Sequence, residues 1–181
     1  MTPLELKNEQ RKIVRNAALA TAFSAAVLFT GYFALPMHFI FPTDLAGRIA
    51  FTLQADIFVF LWVVIAIRMV SRVRFYSAED NRGSAYTIPS PKIAVPRAFL
   101  QNTLEQAFVA VGAHLALATL LSGPALSVIP SAVLLFGIGR IAFLRGYPYG
   151  AGARAFGIVT TVLPTMFGYI AAVVLMIAAV L

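Results

Sequence analysis

The sequence has no cysteine and little charge. Without cysteine among its 181 residues, the chain can hold no disulfide framework, thiolate metal site or cysteine nucleophile. Charged residues make up 12% of the chain and apolar residues 60%, against about 25% and about 45–50% in soluble domains. This balance excludes a disordered chain and indicates an integral membrane protein. It also excludes a nucleic-acid binder, despite the net charge of +7, because the basic residues flank apolar runs.

Apolar runs predict five membrane-spanning helices, since a span needs about 20 predominantly apolar residues. We place them at about 16–40, 49–67, 97–121, 125–144 and 154–181. The polar stretch 71–96, with three prolines, has the composition of a loop. The runs lack the alternation of barrel strands, so the predicted fold class is all-α integral membrane. Residues 7–15 resemble the front of a signal peptide, but the following run exceeds the usual length of about 7–15 residues, so we expect a retained helix.

The basic residues predict the orientation of the chain, because cytoplasmic loops carry an excess of Lys and Arg. One side of the membrane receives the N-terminal tail and the 68–97 and 140–154 segments. Together these hold thirteen of the fourteen basic residues, and only Arg48 falls on the other side. We therefore expect a cytoplasmic N-terminus, with the C-terminus on the far side.

The third predicted helix opens with a polar stripe. Arg97, Gln101 and Glu105 are spaced i, i+4, i+8 and share one helix face, with Asn102 beside them. An ionisable group within a span costs about 2.5–3.5 kcal/mol on insertion scales, so it usually faces a partner or a cavity. The stripe is open to two interpretations, which are hydrogen bonding between neighbouring helices and a ligand site.

A second polar cluster lies at the same predicted depth. Arg140 and Tyr147 lie two turns apart on one face, and Arg154 begins the fifth predicted helix. Arginine and tyrosine also anchor helices at the headgroup level, and Arg145 fits that simpler role. Together the two clusters would form a cationic, amide-rich pocket, suited to a small anionic ligand from the cytoplasm and a lipophilic partner from the bilayer.

At these residues the chain resembles the MAPEG superfamily, the membrane-associated proteins in eicosanoid and glutathione metabolism. Asn102-Thr-Leu-Glu105 is similar to the family's N-x-x-E motif, with a basic residue upstream. Arg140, Gly146-Tyr147 and Arg154 are similar to its R…GY…R pattern. The resemblance implies a four-helix bundle at 49–75, 97–121, 125–145 and 154–181, assembled as a homotrimer. It divides the chain into 1–48, a cytoplasmic tail with an additional transmembrane helix, and 49–181, the MAPEG-like domain.

The chain departs from the family pattern at three positions. Arg97 stands five residues before Asn102, where many members have four, which makes Gln101 an alternative occupant of that polar position. Phe143 stands where some members have histidine. Ala155 replaces the serine that follows the catalytic arginine in the prostaglandin E synthase branch, which argues against that branch.

The resemblance implies glutathione as co-substrate, bound between neighbouring subunits. Its carboxylates would be bound by Arg140, Arg72 or Arg74, its ammonium by Glu105 and its peptide by Asn102, with Gln101 and Tyr147 as further contacts. Arg154 matches the family's thiol-activating arginine and, with the dipole at the start of its helix, would favour the thiolate. The thiolate would then attack or reduce a lipophilic electrophile. No metal is expected.

Two other functions remain open from the sequence. One is a non-enzymatic lipid-binding or scaffold member of the superfamily. The other is a small transporter with Asp56 and Glu105 as relay carboxylates, although the chain has no evident internal repeat. We interpret Asp56 as a buried counter-ion for an arginine and both histidines as structural. The Ala- and Arg-rich composition favours a bacterial inner membrane.

Overall fold

The computed structural model describes residues 1–179 and consists of five long helices and the connections between them. No strand occurs in that range, so the all-α fold class is confirmed. All five helices are long and apolar enough to cross a membrane. The helices are α1 Pro3–Ala34, α2 Leu45–Tyr76, α3 Pro91–Leu120, α4 Val128–Gly146 and α5 Ala151–Ala178. The last two residues of the predicted fifth span lie outside the described range.

Helix α1 begins much earlier than the sequence predicted. The expected tail before residue 16 is helical from Pro3, because Thr2 and Glu5 form a reciprocal capping box and Pro3 suits the first helical position. With 32 residues, α1 is about 48 Å long. The hydrocarbon core is only about 30 Å thick. Several turns of α1 therefore extend beyond the core.

The polar connection between α2 and α3 is shorter than expected. It spans residues 77–90, not 71–96, because Pro91 occupies the first turn of α3 and the helix continues through Pro96. Asp80 closes this connection by accepting hydrogen bonds from the Ser90 hydroxyl (2.6 Å), the Ser90 amide (2.9 Å) and the Ser77 hydroxyl (2.9 Å). The bonds from Ser90, followed by that from Ser77, hold the pKa of Asp80 below its ordinary value of 3.8.

The helices α2 to α5 form a bundle, and α1 packs along its outer side against α5 and α4. The core is divided into clusters along the bundle axis. One cluster near the middle joins Val59, Ala107 and Phe136, and another joins Ala66, Phe99 and Phe143. By contrast, α1 buries little, with only Ala20 and Ser24 fully enclosed. Helix α1 is thus an attachment to the bundle and contributes few residues to its core.

Contacts at the two ends define the up-and-down topology. At one end, the Gly123 amide donates to the Pro42 carbonyl (3.1 Å), and the Arg48 guanidinium donates to the Leu121 carbonyl (2.7 Å). At the other end, the Glu9 carboxylate accepts from the Gly152 amide (2.7 Å). The start of α1 and the start of α5 therefore share one end, as the distribution of basic residues predicted.

Candidate functional site

Helices α4 and α5 approach each other closely because small residues face each other along their contact. A Cβ atom on Gly157 would lie 2.6 Å from the Gly139 carbonyl oxygen and would also clash with the Phe143 amide. A Cβ atom on Gly146 would lie 2.5 Å from the Ala153 carbonyl oxygen. Small residues at such contacts let helix backbones come together in membranes. This approach brings the arginines of both helices into one region.

Arg140 is the largest fully buried side chain in this region. Its guanidinium donates to the Asn102 side-chain carbonyl (2.7 Å) and to the Thr161 hydroxyl (2.8 Å). The rings of Phe136 and Phe143 lie 5.5 and 5.1 Å from the guanidinium carbon, within cation–π range. Arg140 therefore joins α3, α4 and α5 and fixes the Asn102 amide in one orientation.

Arg154 lies in the second turn of α5 and is partly exposed. Its guanidinium carbon is 4.4 Å from the centre of the Tyr147 ring and 5.9 Å from that of Phe143. These two rings meet edge to face at 5.6 Å. Among residues 1–179 Arg154 forms no ion pair, and its Nε atom is buried without a hydrogen-bond partner. The guanidinium is thus oriented by an aromatic face and carries a positive charge that no side chain in the described part of the chain neutralises.

Gln101 and Glu105 lie on the outer face of α3. The Gln101 amide donates to the Glu105 carboxylate at 2.7 Å, and both side chains are exposed. The fully buried residue between them is Thr103, so this polar pair faces away from the bundle. A carboxylate on the outside of a membrane helix is costly unless water or protein covers it. The arrangement fits a surface that another molecule or subunit covers.

Arg72 and Arg74, the two α2 arginines predicted to bind carboxylates, point in different directions. Arg72 is exposed in a groove of about 520 Å³ that it shares with Arg68 and Tyr76. Arg74 faces the 77–90 connection and lines a small cleft with Arg97. Neither Arg140 nor Arg154 lines the groove of Arg72 or the cleft of Arg74. A single chain therefore does not bring all the predicted site residues together.

Asp56 has a different partner from the one that the sequence suggested. Its carboxylate contacts the His114 Nδ1 atom at 2.6 Å, and both side chains are buried between α2 and α3. The prediction that Asp56 neutralises an arginine is wrong, because helix packing places it opposite His114. Across residues 1–179, no three His, Asp or Glu side chains are grouped so that they could hold a metal ion.

Sequence reasoning missed Thr161, the second hydrogen-bond acceptor of Arg140. Thr161 lies seven residues after Arg154 on α5, and its hydroxyl also donates to the Gly157 carbonyl (2.9 Å). The seven-residue spacing, which places both residues on one helix face, was the available signal. Threonine is common in apolar helices for packing reasons, so the spacing alone did not single it out.

The family comparison covers the part of the chain that holds these polar residues. The model of the MAPEG family matches residues 49–180, which include α3, α4 and the start of α5 with their polar residues. The chain belongs to the MAPEG family. This membership supports a membrane function related to glutathione or eicosanoid metabolism in general. The chain has no match among curated proteins or among solved structures. Helix α1 lies outside the matched region.

Proposed function

We propose that this MAPEG member is a glutathione-dependent membrane transferase or peroxidase. The observation that carries the proposal is the Arg154 guanidinium, which lies 4.4 Å from the Tyr147 ring and has no anionic partner in residues 1–179. A buried or half-buried cation usually has a partner. An anionic ligand such as a thiolate would supply it. The association of the family with glutathione supports that choice of ligand.

The other site residues receive binding roles in this proposal. Arg140 uses its guanidinium to hold Asn102, so its main task is to orient the amide that contacts the glutathione peptide. Glu105, with Gln101 beside it, is exposed and would bind the ammonium. Tyr147 orients Arg154 and offers its hydroxyl to the ligand.

Arg72 and Arg74 fit the proposal as residues that act across a subunit boundary. The exposed Gln101–Glu105 pair would be unfavourable against lipid tails. We therefore propose a homotrimer, the usual state of the family, in which a neighbouring subunit covers this face of α3. The carboxylates of glutathione would then pair with Arg72 or Arg74, through charge-assisted hydrogen bonds.

The chemistry depends on the fraction of glutathione that is thiolate. A free thiol with a pKa of about 8.5 is only a few per cent ionised at pH 7. A neighbouring cation lowers such a pKa by about 1–3 units, and a shift of about 2 units or more makes the thiolate the major form at pH 7. In the transferase reaction the sulfur forms a bond to an electrophilic carbon, and the leaving group or opened ring takes up a proton. In the peroxidase reaction two glutathione molecules give a disulfide, while the hydroperoxide becomes an alcohol and water.

A non-enzymatic lipid-binding or scaffold role is the second candidate. Two apolar grooves of about 470 and 480 Å³ run along the outer face of α4, and both are lined by Pro130 and Leu134. The first lies beside Trp62 of α2, and the second beside Phe23 of α1. Grooves of this size and character suit a lipophilic molecule. They serve equally as the entry for a lipophilic substrate.

The setting of the protein is part of the proposal. Five apolar helices fit a multi-pass membrane protein in a lipid bilayer. We propose that the N-terminus, the 77–90 connection and the site face the cytoplasm of a bacterium, with the chain in the inner membrane. We also propose that residues 49–181 form the family domain, to which residues 1–48 add α1.

The test is ultraviolet difference spectroscopy of detergent-purified protein titrated with glutathione, because the thiolate absorbs where the thiol does not. Wild-type protein should give a saturable thiolate signal at pH 7, and Arg154→Ala should reduce it to the few per cent expected of free thiol. Arg145→Ala is the matched control, since Arg145 is exposed near the same turn. No signal from folded wild-type protein at millimolar glutathione would exclude the enzyme as proposed and favour the scaffold.

A further inference from the structure

The start of α5 lacks a cap of its own. The first amide groups of a helix have no partner within it and need an acceptor from elsewhere. Gly150, which precedes the helix with φ +95°, has no side chain to supply one. Arg154 follows in the next turn, so its position depends on how firmly this first turn is held. A short turn, residues 147–149, connects the end of α4 to the start of α5, and Tyr147 is its first residue.

The additional helix α1 supplies the missing acceptor. The Glu9 Oε1 atom accepts a hydrogen bond from the Gly152 amide at 2.7 Å. The Lys12 ammonium lies 3.6 Å from the other carboxylate oxygen of Glu9. One turn further along α1, the Asn16 side-chain amide donates to the Gly152 carbonyl at 2.7 Å. Both polar groups of the Gly152 backbone are therefore held by α1.

The glycines at the start of α5 allow this close contact. A Cβ atom on Gly152 would lie 2.6 Å from the Lys12 Cβ atom, and a Cβ atom on Gly150 would lie 2.8 Å from the Glu9 Oε1 atom. A larger residue at position 152 would push α1 away, and one at position 150 would displace the Glu9 carboxylate, so either change would break the bond from Gly152 to Glu9. Further along the same contact, the rings of Phe23 and Phe156 lie 5.8 Å apart. The two helices thus fit each other over several turns.

We infer that Glu9 is a positioning residue for Arg154, acting from outside the family domain through the first turn of α5. The inference rests on the proposed function, in which Arg154 stabilises the glutathione thiolate. Glu9 does not touch the ligand; it holds Gly152, two residues before Arg154. Its carboxylate also lies at the positive end of the α5 dipole.

The experiment compares Glu9→Ala, Glu9→Gln and Glu79→Ala in the full-length protein. Glu79 is an exposed acid on the 77–90 connection, so its removal gives the same change in charge without touching α5. Hydrogen exchange of residues 150–156 measures capping, and the thiolate absorbance of bound glutathione as a function of pH measures positioning. Trp62, the single tryptophan, reports by its fluorescence whether each variant is folded.

We expect Glu9→Ala to speed exchange at the start of α5 about tenfold, which corresponds to about 1.4 kcal/mol, and to raise the apparent thiol pKa. Glu9→Gln should restore both readouts, because its side-chain oxygen accepts the same bond from Gly152 without the charge. Glu79→Ala should match the wild type.

Unchanged exchange and an unchanged thiol pKa in folded Glu9→Ala would overturn the inference. Loss of the thiolate signal in Glu9→Gln as well would also overturn it, since the retained hydrogen bond would then not be what positions Arg154. The two proposals fail in different ways. If the wild type itself gives no thiolate signal, the proposed function and the positioning role both fall, whereas a normal wild type with an unaffected Glu9→Ala removes only the positioning role.

Discussion

The close contact between α4 and α5 makes Gly157→Ala a sharp test of how the site is held together. The new Cβ atom would lie 2.6 Å from the Gly139 carbonyl oxygen, whereas ordinary contact begins near 3.4 Å. Both clashing groups belong to backbone, so the helices must move apart. Such overpacking costs about 1–3 kcal/mol, and weakening the charged hydrogen bond from Arg140 to Thr161 adds about 1.5–3 kcal/mol. Alanine returns about 1 kcal/mol of helix propensity, so the net loss should be about 1.5–5 kcal/mol.

The matched control for this substitution is Gly168→Ala on the same helix. A Cβ atom there would meet its nearest neighbours at 3.4 Å, which is ordinary contact, so the same gain in helix propensity comes without a clash. Unfolding in mixed micelles, followed by the fluorescence of Trp62 and by circular dichroism, would measure both variants against the wild type. Equal stability of the two variants would refute the close approach of α4 and α5 and the reasoning built on it.

Two further predictions concern polar groups away from the site. His114→Leu should lower the free energy of unfolding by about 1–3 kcal/mol, because it leaves the Asp56 carboxylate buried without a partner. Replacing both residues with leucine should recover most of this loss. If the effects of the two single substitutions simply add in a double-mutant cycle, the direct contact between Asp56 and His114 is contradicted. Because the pKa of folded Asp80 lies below 3.8, its contribution is fully present above that value and is lost as the pH falls through the folded pKa. A spin label on Ser84→Cys, in a chain with no other cysteine, should therefore become more mobile at acidic pH. Adding Asp80→Asn should make the label mobile at neutral pH and remove this pH dependence, and a label unaffected by acid would argue against the closure by Asp80.

Helix α1 changes how this family member must be studied. Its length lets it reach past the hydrocarbon core, and its first turns contact the start of α5. A truncated chain that begins near residue 49 would keep the region matched by the family model but lose the acceptor for Gly152. Experiments on the site should therefore use the full chain.

The sequence by itself determined the class of the protein, the number of its long helices and its family. Runs of about 20 apolar residues have few alternatives in a bilayer, because helices satisfy every backbone polar group internally. The motif around Asn102 and Glu105 and the one from Arg140 to Arg154 indicated the family, and the family model confirmed it. The predicted helix ends were less accurate, because the prolines suggested a loop over 71–96, whereas α3 begins at Pro91 and continues through Pro96.

Only the tertiary structure decided which polar groups meet. Asn102 and Arg140 are 38 residues apart in the chain, Asp56 and His114 are 58 apart, and Glu9 and Gly152 are 143 apart. Spacing within one helix reveals which residues share a face, but not which helix that face contacts. The rotation of each helix and its close contacts at glycines determine those pairs. For that reason the family residues could be named from the sequence, whereas the support they receive from Thr161 and Glu9 could not.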